Sequence, residues 1–214
     1  MSSGNSFARQ IHYFRRDFEV FAPDLKGFGE NTGMGTPYSL DDYINEVKEF
    51  KYKHGLISPH VIAHSFGGRI AIKACAEDSE FCDKLVLVGA AGLKPKDTLL
   101  KKGKRATFNL LKKFISKDKL KFFYSKDYLA LDGVMRESFQ KIIKEHLDDK
   151  IGLIKNPTLV VVGENDRETP VYMAKRLFNG INDSRLIIIK GAGHFCFIDK
   201  PAKFNTEVRE FLLS

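Results

Sequence analysis

Cysteine is scarce: the 214 residues include only Cys75, Cys82 and Cys196. An odd count without metal-ligand spacing excludes a disulfide-stapled miniprotein and points to reduced thiols in a reducing compartment. A secretory leader is also lacking, since Met1-Ser2-Ser3-Gly4-Asn5-Ser6 has neither a basic start nor an apolar run. No apolar stretch approaches the roughly 20 residues that span a bilayer as a helix. These absences together lead to the expectation of a soluble, cytoplasmic protein. The composition of a disordered chain or a collagen-like repeat is absent too, because 43% of residues are hydrophobic and 12% aromatic. A chain of this length can bury about 70% of its unfolded surface, enough for one domain or one domain with an insertion.

The formal charge of +8 is unevenly placed. Residues 93–150 carry 16 Lys and Arg against 8 Asp and Glu, while the rest of the chain carries 19 of each. The densest run is Lys101-Lys102-Gly103-Lys104-Arg105, followed by Lys112-Lys113 and Lys117-Asp118-Lys119-Leu120-Lys121. Apolar residues interleave at helical spacing, with Phe108, Leu111, Phe114 and Ile115, then Leu120, Phe123 and Tyr124. This is the pattern of an amphipathic basic helix. It fits a solvated face over a core, transient contact of residues 94–126 with an anionic membrane surface, or attraction of an acidic substrate. No nucleic-acid reading motif accompanies it, so no nucleic-acid partner is expected.

Elsewhere apolar runs alternate with amphipathic stretches. Phe7 to Arg16 has helical spacing, and Phe18-Glu19-Val20-Phe21-Ala22 predicts a strand stopped by Pro23. A glycine-rich loop over residues 24–33 follows. Ser39 with Asp42 predicts a helix start, and Leu40, Tyr43, Ile44, Val47 and Phe50 fall on one face. Strands are predicted at 60–63, 84–88, 158–162 and 186–189, and helices through Ile70, over about 170–179 and through Phe204, Val208, Phe211 and Leu212. Such alternation means a mostly parallel sheet covered on both faces. Residues 93–150 hold no strand pattern and interrupt it as a helical insertion.

Three residues stand at equivalent places in this alternation. Ser65 follows a strand and opens a helix, with Ala63 two before and Gly67 two after. Small residues there relieve the crowding of a sharp strand–turn–helix corner that exposes a hydroxyl. A serine nucleophile needs a base, and the base an orienting acid. Asp166 follows the 158–162 strand and His194 the 186–189 strand. Open α/β sheets hold their sites just past the carboxyl ends of strands, and the chain order is Ser, Asp, His.

In Ala22-Pro23-Asp24-Leu25-Lys26-Gly27-Phe28-Gly29, Ala63-His64-Ser65-Phe66-Gly67-Gly68, Gly163-Glu164-Asn165-Asp166 and Gly191-Ala192-Gly193-His194-Phe195, the chain resembles the α/β-hydrolase superfamily. The resemblance runs from that fold's fourth strand to its C-terminal helix. It implies a mostly parallel sheet flanked by helices, in a core of residues 1–92 and 151–214, with a Lys-rich helical cap at 93–150. It also implies Ser65 as nucleophile, His194 as base, Asp166 as its acid, the Phe66 N–H as oxyanion donor and Phe66 and Phe195 as substrate contacts. No metal or organic cofactor is implied. Alanine at position 63 departs mildly from the usual glycine.

A larger departure lies upstream. Relatives carry three earlier strands and a His-Gly loop that gives a second oxyanion donor, whereas this sequence begins just after that loop. The expectation is an N-terminally incomplete fold, from a piece of a longer chain or a start at an internal Met, with exposed sheet edges. Losing one oxyanion donor costs about 2.7–4 kcal/mol, or roughly 10²–10³ in rate.

Other residues are given structural roles. The spacing of Gly27, Gly29 and Gly33 does not fit a dinucleotide fingerprint. His64 and Asp24 read as supports for their loops and Cys196 as a small buried hydrophobe. His12, His54, His60 and His146 have no evident partners. Asp199 competes with Asp166 for His194 but follows it by only five residues. The functional expectation is a serine hydrolase, esterase- or lipase-like, acting on a small-molecule carboxylic ester or related acyl substrate. Two alternatives stay open. One is hydrolysis of a carbon–carbon bond beside a ketone, as in the ring-cleavage hydrolases that the His-Ser-Phe-Gly-Gly elbow resembles. The other is a non-catalytic binding protein on the same fold.

Overall fold

The computed structural model describes residues 4–96 and 133–214. The basic run at 101–105 and the amphipathic pattern from Phe108 to Tyr124, hence most of the 93–150 insertion and the 94–126 surface, lie outside the described residues. A 3-10 turn at Gly4–Phe7 leads into α1 (Ala8–Phe14), followed by α2 (Leu40–Lys53), β1 (Val61–His64), α3 (Phe66–Glu77) and β2 (Leu85–Val88). Beyond residue 132 come α4 (Gly133–Ile142), β3 (Thr158–Gly163), α5 (Val171–Gly180), β4 (Ser184–Ile189), α6 (Cys196–Asp199) and α7 (Pro201–Leu213). Among the described residues no helix is long and apolar enough to cross a membrane.

The four strands form one sheet in the order β1-β2-β3-β4, and every pairing is parallel. Alternating side chains in the two central strands supply two separate cores. Leu85 and Leu87 of β2 and Val160 and Val162 of β3 face a core shared with α2, α3 and α5. Val86, Val88, Leu159 and Val161 point the other way, into a core shared with α1, α6 and α7. A strand covered on both sides needs apolar residues at consecutive positions, which is why β2 reads Leu-Val-Leu-Val with no polar interruption.

The expected strand at 18–22 does not form; the segment pairs with no other strand. Its pattern is that of a half-buried strand, with Phe18 and Val20 packed on the second core and Glu19 exposed. A strand is defined by its ladder, however, and no described strand lies beside this one. Instead the Phe18 ring meets His60 edge-on at 5.8 Å.

Ser39 and Asp42 start α2 as expected. The Ser39 N–H donates to Asp42 Oδ2 at 2.6 Å, and the Asp42 N–H donates to Ser39 Oγ at 3.3 Å. The chain at the end of α4 is fastened to α2 and α3. Lys73 pairs with Asp41 at 2.5 Å and Glu145 at 2.8 Å, while Arg69 donates to the carbonyls of Ile142 and Glu145. Gln10 ties α1 to the C-terminal helices, donating to the Phe197 carbonyl at 2.8 Å and Asn205 Oδ1 at 3.2 Å. The three cysteines are buried and unbridged, with the Cys75 and Cys82 sulfurs 3.5 Å apart.

α3 approaches the loop after β2 closely at Gly68. A Cβ there would lie 2.5 Å from Ala90 Cβ and 2.9 Å from Ala90 Cα. Alanine would gain up to about 1 kcal/mol of helix propensity, but relieving the clash costs about 1–3 kcal/mol. Gly68→Ala is therefore expected to destabilise the fold. Denaturant unfolding checks this by a lower midpoint at unchanged m-value.

Candidate active site

Position 65 is a sharp corner in the backbone. Ser65 has φ +49° and ψ −108°, and is the only non-glycine residue with positive φ among the described residues. Such a conformation persists only where its surroundings enforce it. The Ser65 N–H donates to the Val88 carbonyl at 3.0 Å, and its carbonyl accepts from the Ala91 N–H at 3.0 Å. Its hydroxyl makes no capping bond to α3, and the residue is half-buried. The crowding that small residues relieve falls mainly on Gly68, since a Cβ at Gly67 would meet only Ala63 Cβ at 3.9 Å.

Asp166 sits in the turn after β3 and is fully enclosed, its side chain 0% exposed. It accepts four hydrogen bonds. The Glu168 and Thr169 N–H groups donate to Oδ1 at 2.9 Å each, and the Thr169 hydroxyl donates to Oδ2 at 2.8 Å. The fourth comes from His194 Nδ1, 2.9 Å from Oδ2. Burial alone would raise the Asp166 carboxyl above its ordinary range, but these donors outweigh it and the net shift is downward. His194 moves the other way for the same reason. Burial disfavours its charge, yet the Asp166 hydrogen bond, the Asp166 charge and the Glu168 charge raise it above the usual 6.5. An ionised carboxylate only accepts, so Nδ1 carries a proton and, in the neutral ring, Nε2 is left as the acceptor.

The loops after β3 and β4 are laced together. The Asn165 N–H donates to the Ala192 carbonyl at 2.8 Å, and the Gly191 N–H to Glu164 at 3.0 Å. A Cβ on Gly163 would come within 2.1 Å of the Gly193 carbonyl oxygen, so only glycine allows this approach. Gly89, at φ +48°, forms the floor beneath the pair: a Cβ there would lie 3.1 Å from Asp166 Oδ2 and 3.3 Å from His194 Nδ1.

Asp199 does not reach the imidazole; it accepts the Gly193 N–H at 2.7 Å and so steadies the His194 loop. His64 packs 4.7 Å from the His194 ring, centre to centre, and its Nε2 donates to the His194 carbonyl at 3.1 Å. Burial, then the neighbouring His194 charge, pushes His64 down to about 4, so it is neutral and carries its proton on Nε2. Asp24 accepts the Gly4 and Glu30 N–H groups at 2.7 and 3.0 Å and so orders its own loop. Cys196 is buried, which pushes its thiol up to about 12.

The Phe66 N–H opens α3 and has no intrahelical acceptor available to it. Its ring stacks on Phe28 at 5.3 Å and meets Tyr43 edge-on at 5.1 Å. Phe195 is 37% exposed beside the His64 and His194 rings. Sequence reasoning missed Gly89, Glu168 and Thr169. Thr169 had a signal, since aspartate commonly turns its loop by accepting N–H groups two and three residues on. Glu168 had none. Among the described residues no group of three or more His, Cys, Asp or Glu is arranged to hold a metal ion.

Comparison with known proteins agrees with this architecture. The chain is 27% identical over 220 residues to the AB hydrolase superfamily protein YisY of Bacillus subtilis, covering 92% of this chain and 82% of that protein. It is 27% identical over 235 residues to the 2-hydroxy-6-oxo-6-(2'-aminophenyl)hexa-2,4-dienoic acid hydrolase of Metapseudomonas resinovorans, covering 99% of this chain and 79% of that one. Its fold is similar to an esterase from Exiguobacterium antarcticum, with TM-score 0.78, 22% identity and coverage of 100% and 88%. A meta-cleavage product hydrolase from Pseudomonas fluorescens shares the fold at TM-score 0.75 and 23% identity, with coverage of 99% and 86%. The family model described as serine aminopeptidase, S33, matches residues 3–201, and a match over that much of the sequence makes this chain a member of that family of α/β hydrolases.

Proposed function

We propose that the protein is a serine hydrolase that cleaves a carboxylic ester or related acyl substrate through an acyl-enzyme. The observation that carries this reading is the enclosed Asp166–His194 pair, held at 2.9 Å on the same sheet edge as the strained Ser65 corner. Ser65 Oγ attacks the acyl carbonyl and forms the new C–O bond while His194 Nε2 takes its proton. Asp166 keeps Nδ1–H oriented and offsets the charge of the imidazolium. The carbonyl oxygen becomes anionic beside the Phe66 N–H, where the start of α3 favours negative charge. His194 then hands its proton to the leaving group, and water, deprotonated by the same nitrogen, releases the acid and restores Ser65. The described part of the 93–150 segment is joined to the core at α4, where the Tyr38 N–H donates to Ser138 Oγ at 2.9 Å.

Similarity to the aminophenyl hexadienoic acid hydrolase favours a second reading within the same machinery, cleavage of a carbon–carbon bond beside a ketone. Parallel turnover assays with p-nitrophenyl esters and a vinylogous 1,5-diketone acid separate the two.

Mass-spectrometric labelling by a fluorophosphonate probe tests the shared machinery. Modification is expected at Ser65, absent in Ser65→Ala and reduced at least 10²-fold in His194→Ala. Absence of labelling in the wild type would overturn the reading and favour a non-catalytic binding protein. In Asp166→Asn the amide no longer holds His194 in its working tautomer, and the labelling rate should fall on the order of 10⁴-fold. The base works only when neutral, and its partners raise its titration above 6.5. Labelling and turnover are therefore expected to be full at alkaline pH and to fall as pH drops through a midpoint above 6.5, as rate measurements across pH 5–9 can check.

A further inference from the structure

A second carboxylate stands at the other nitrogen of His194. Glu168 Oε2 lies 3.3 Å from Nε2, while Asp166 Oδ2 holds Nδ1 at 2.9 Å. Both acids come from the turn between β3 and α5, but they are placed very differently. The Asp166 side chain is 0% exposed and fixed by four donors, whereas the Glu168 side chain is 68% exposed. The Glu168 main chain is anchored by its N–H to Asp166 Oδ1, so its carboxylate hangs from a fixed point and swings on its own torsions.

The contact has a chemical consequence. A neutral imidazole with its proton on Nδ1 turns a lone pair toward Glu168, and a lone pair facing a carboxylate is repulsive. Only an Nε2–H makes the 3.3 Å approach attractive. The same nitrogen has to be bare to accept a proton from Ser65. Among the described residues no hydrogen bond joins Ser65 Oγ to His194, so Glu168 occupies the nitrogen that the serine would use.

The remaining surroundings leave Glu168 in control. His64 is held neutral at 4.7 Å, Thr169 Oγ1 lies 3.4 Å from Nδ1, and Asp199 is engaged with the Gly193 N–H. Glu168 also borders a cavity of about 290 Å³ lined by Lys96, Arg167 and Tyr172, which offers the carboxylate room and cationic company once it leaves the ring.

We propose that Glu168 is a positioning residue that restrains the base: its carboxylate rests on His194 Nε2 and must withdraw before Ser65 can transfer its proton. This role rests on the assignment of Ser65 and His194 as nucleophile and base. Glu168 touches no reacting atom of the substrate and acts only through His194.

The test is the titration of His194 in the full chain, followed by imidazole nitrogen NMR in the wild type, Glu168→Gln and Glu168→Ala, alongside the pH profile of fluorophosphonate labelling at Ser65. Removing an exposed partner charge should lower the His194 midpoint by about half a pH unit, or roughly threefold in neutral base on the acid limb. The acid limb of labelling should move down by the same amount in both variants, a shift that a merely structural role would not produce. An unchanged His194 midpoint would overturn the proposal. So would a lowered midpoint with an unmoved labelling limb. Wild-type protein whose His194 titrates as expected but whose Ser65 never labels would instead strike the hydrolase reading, and the positioning role of Glu168 with it.

Discussion

Parallel register decides which residues of this chain can meet. His64 pairs with Val88 and Val88 with Val161, while Gly163 pairs with Ile189. The chain therefore leaves the sheet at Ser65, Gly89, Glu164 and Lys190 along one edge. The close approaches at Gly89 and Gly163 require that alignment, because each brings two loops within contact of the same few atoms. A slip by one residue would turn Leu85 and Leu87 into the wrong core and would carry the elbow out of reach of the imidazole. The two cores hold the register, and the register holds the site.

Within that frame, two neighbouring histidines are driven in opposite directions. His64 and His194 lie 4.7 Å apart, and both lose solvation. His64 finds a carbonyl, a neighbouring imidazole and an Asp166 charge too weakly felt to offset its burial, so desolvation wins and it stays neutral. His194 finds an enclosed carboxylate and gains the charge that burial would deny it. Partner identity and depth of burial together keep one ring neutral and raise the other. Asp166 shows the same contest from the acid side, where four donors overcome the cost of enclosure.

Much of this was legible in the sequence, for definable reasons. Unbroken apolar runs such as Leu85-Val86-Leu87-Val88 announce a strand buried on both faces, and Ser39 with Asp42 announces a helix start. The loop positions of Ser65, Asp166 and His194 follow from where those runs end. The segment 18–22 misled because alternation records which side of a chain is wet and says nothing about whether a neighbour exists to bond with. Gly89 was invisible, and Gly163 visible only as part of Gly163-Glu164-Asn165-Asp166, because what makes each glycine is the approach of distant groups, side chains at 89 and backbone carbonyls at 163. Glu168 was invisible because an exposed acid two residues past another has no pattern, and its significance arises only from the direction in which His194 is turned.

The glycine floor also divides the site into parts that can and cannot be redesigned. No side chain fits at 163 without displacing a carbonyl, and one at 89 would crowd the Asp166–His194 pair. Positions 167 and 195 open toward solvent or the neighbouring cavity and are free of that constraint, whereas Glu168 stays tied to His194. Side chains at those two rim positions can therefore change without crowding the Asp166–His194 pair. The rim is written in side chains, and the close approach beneath the pair in the absence of them.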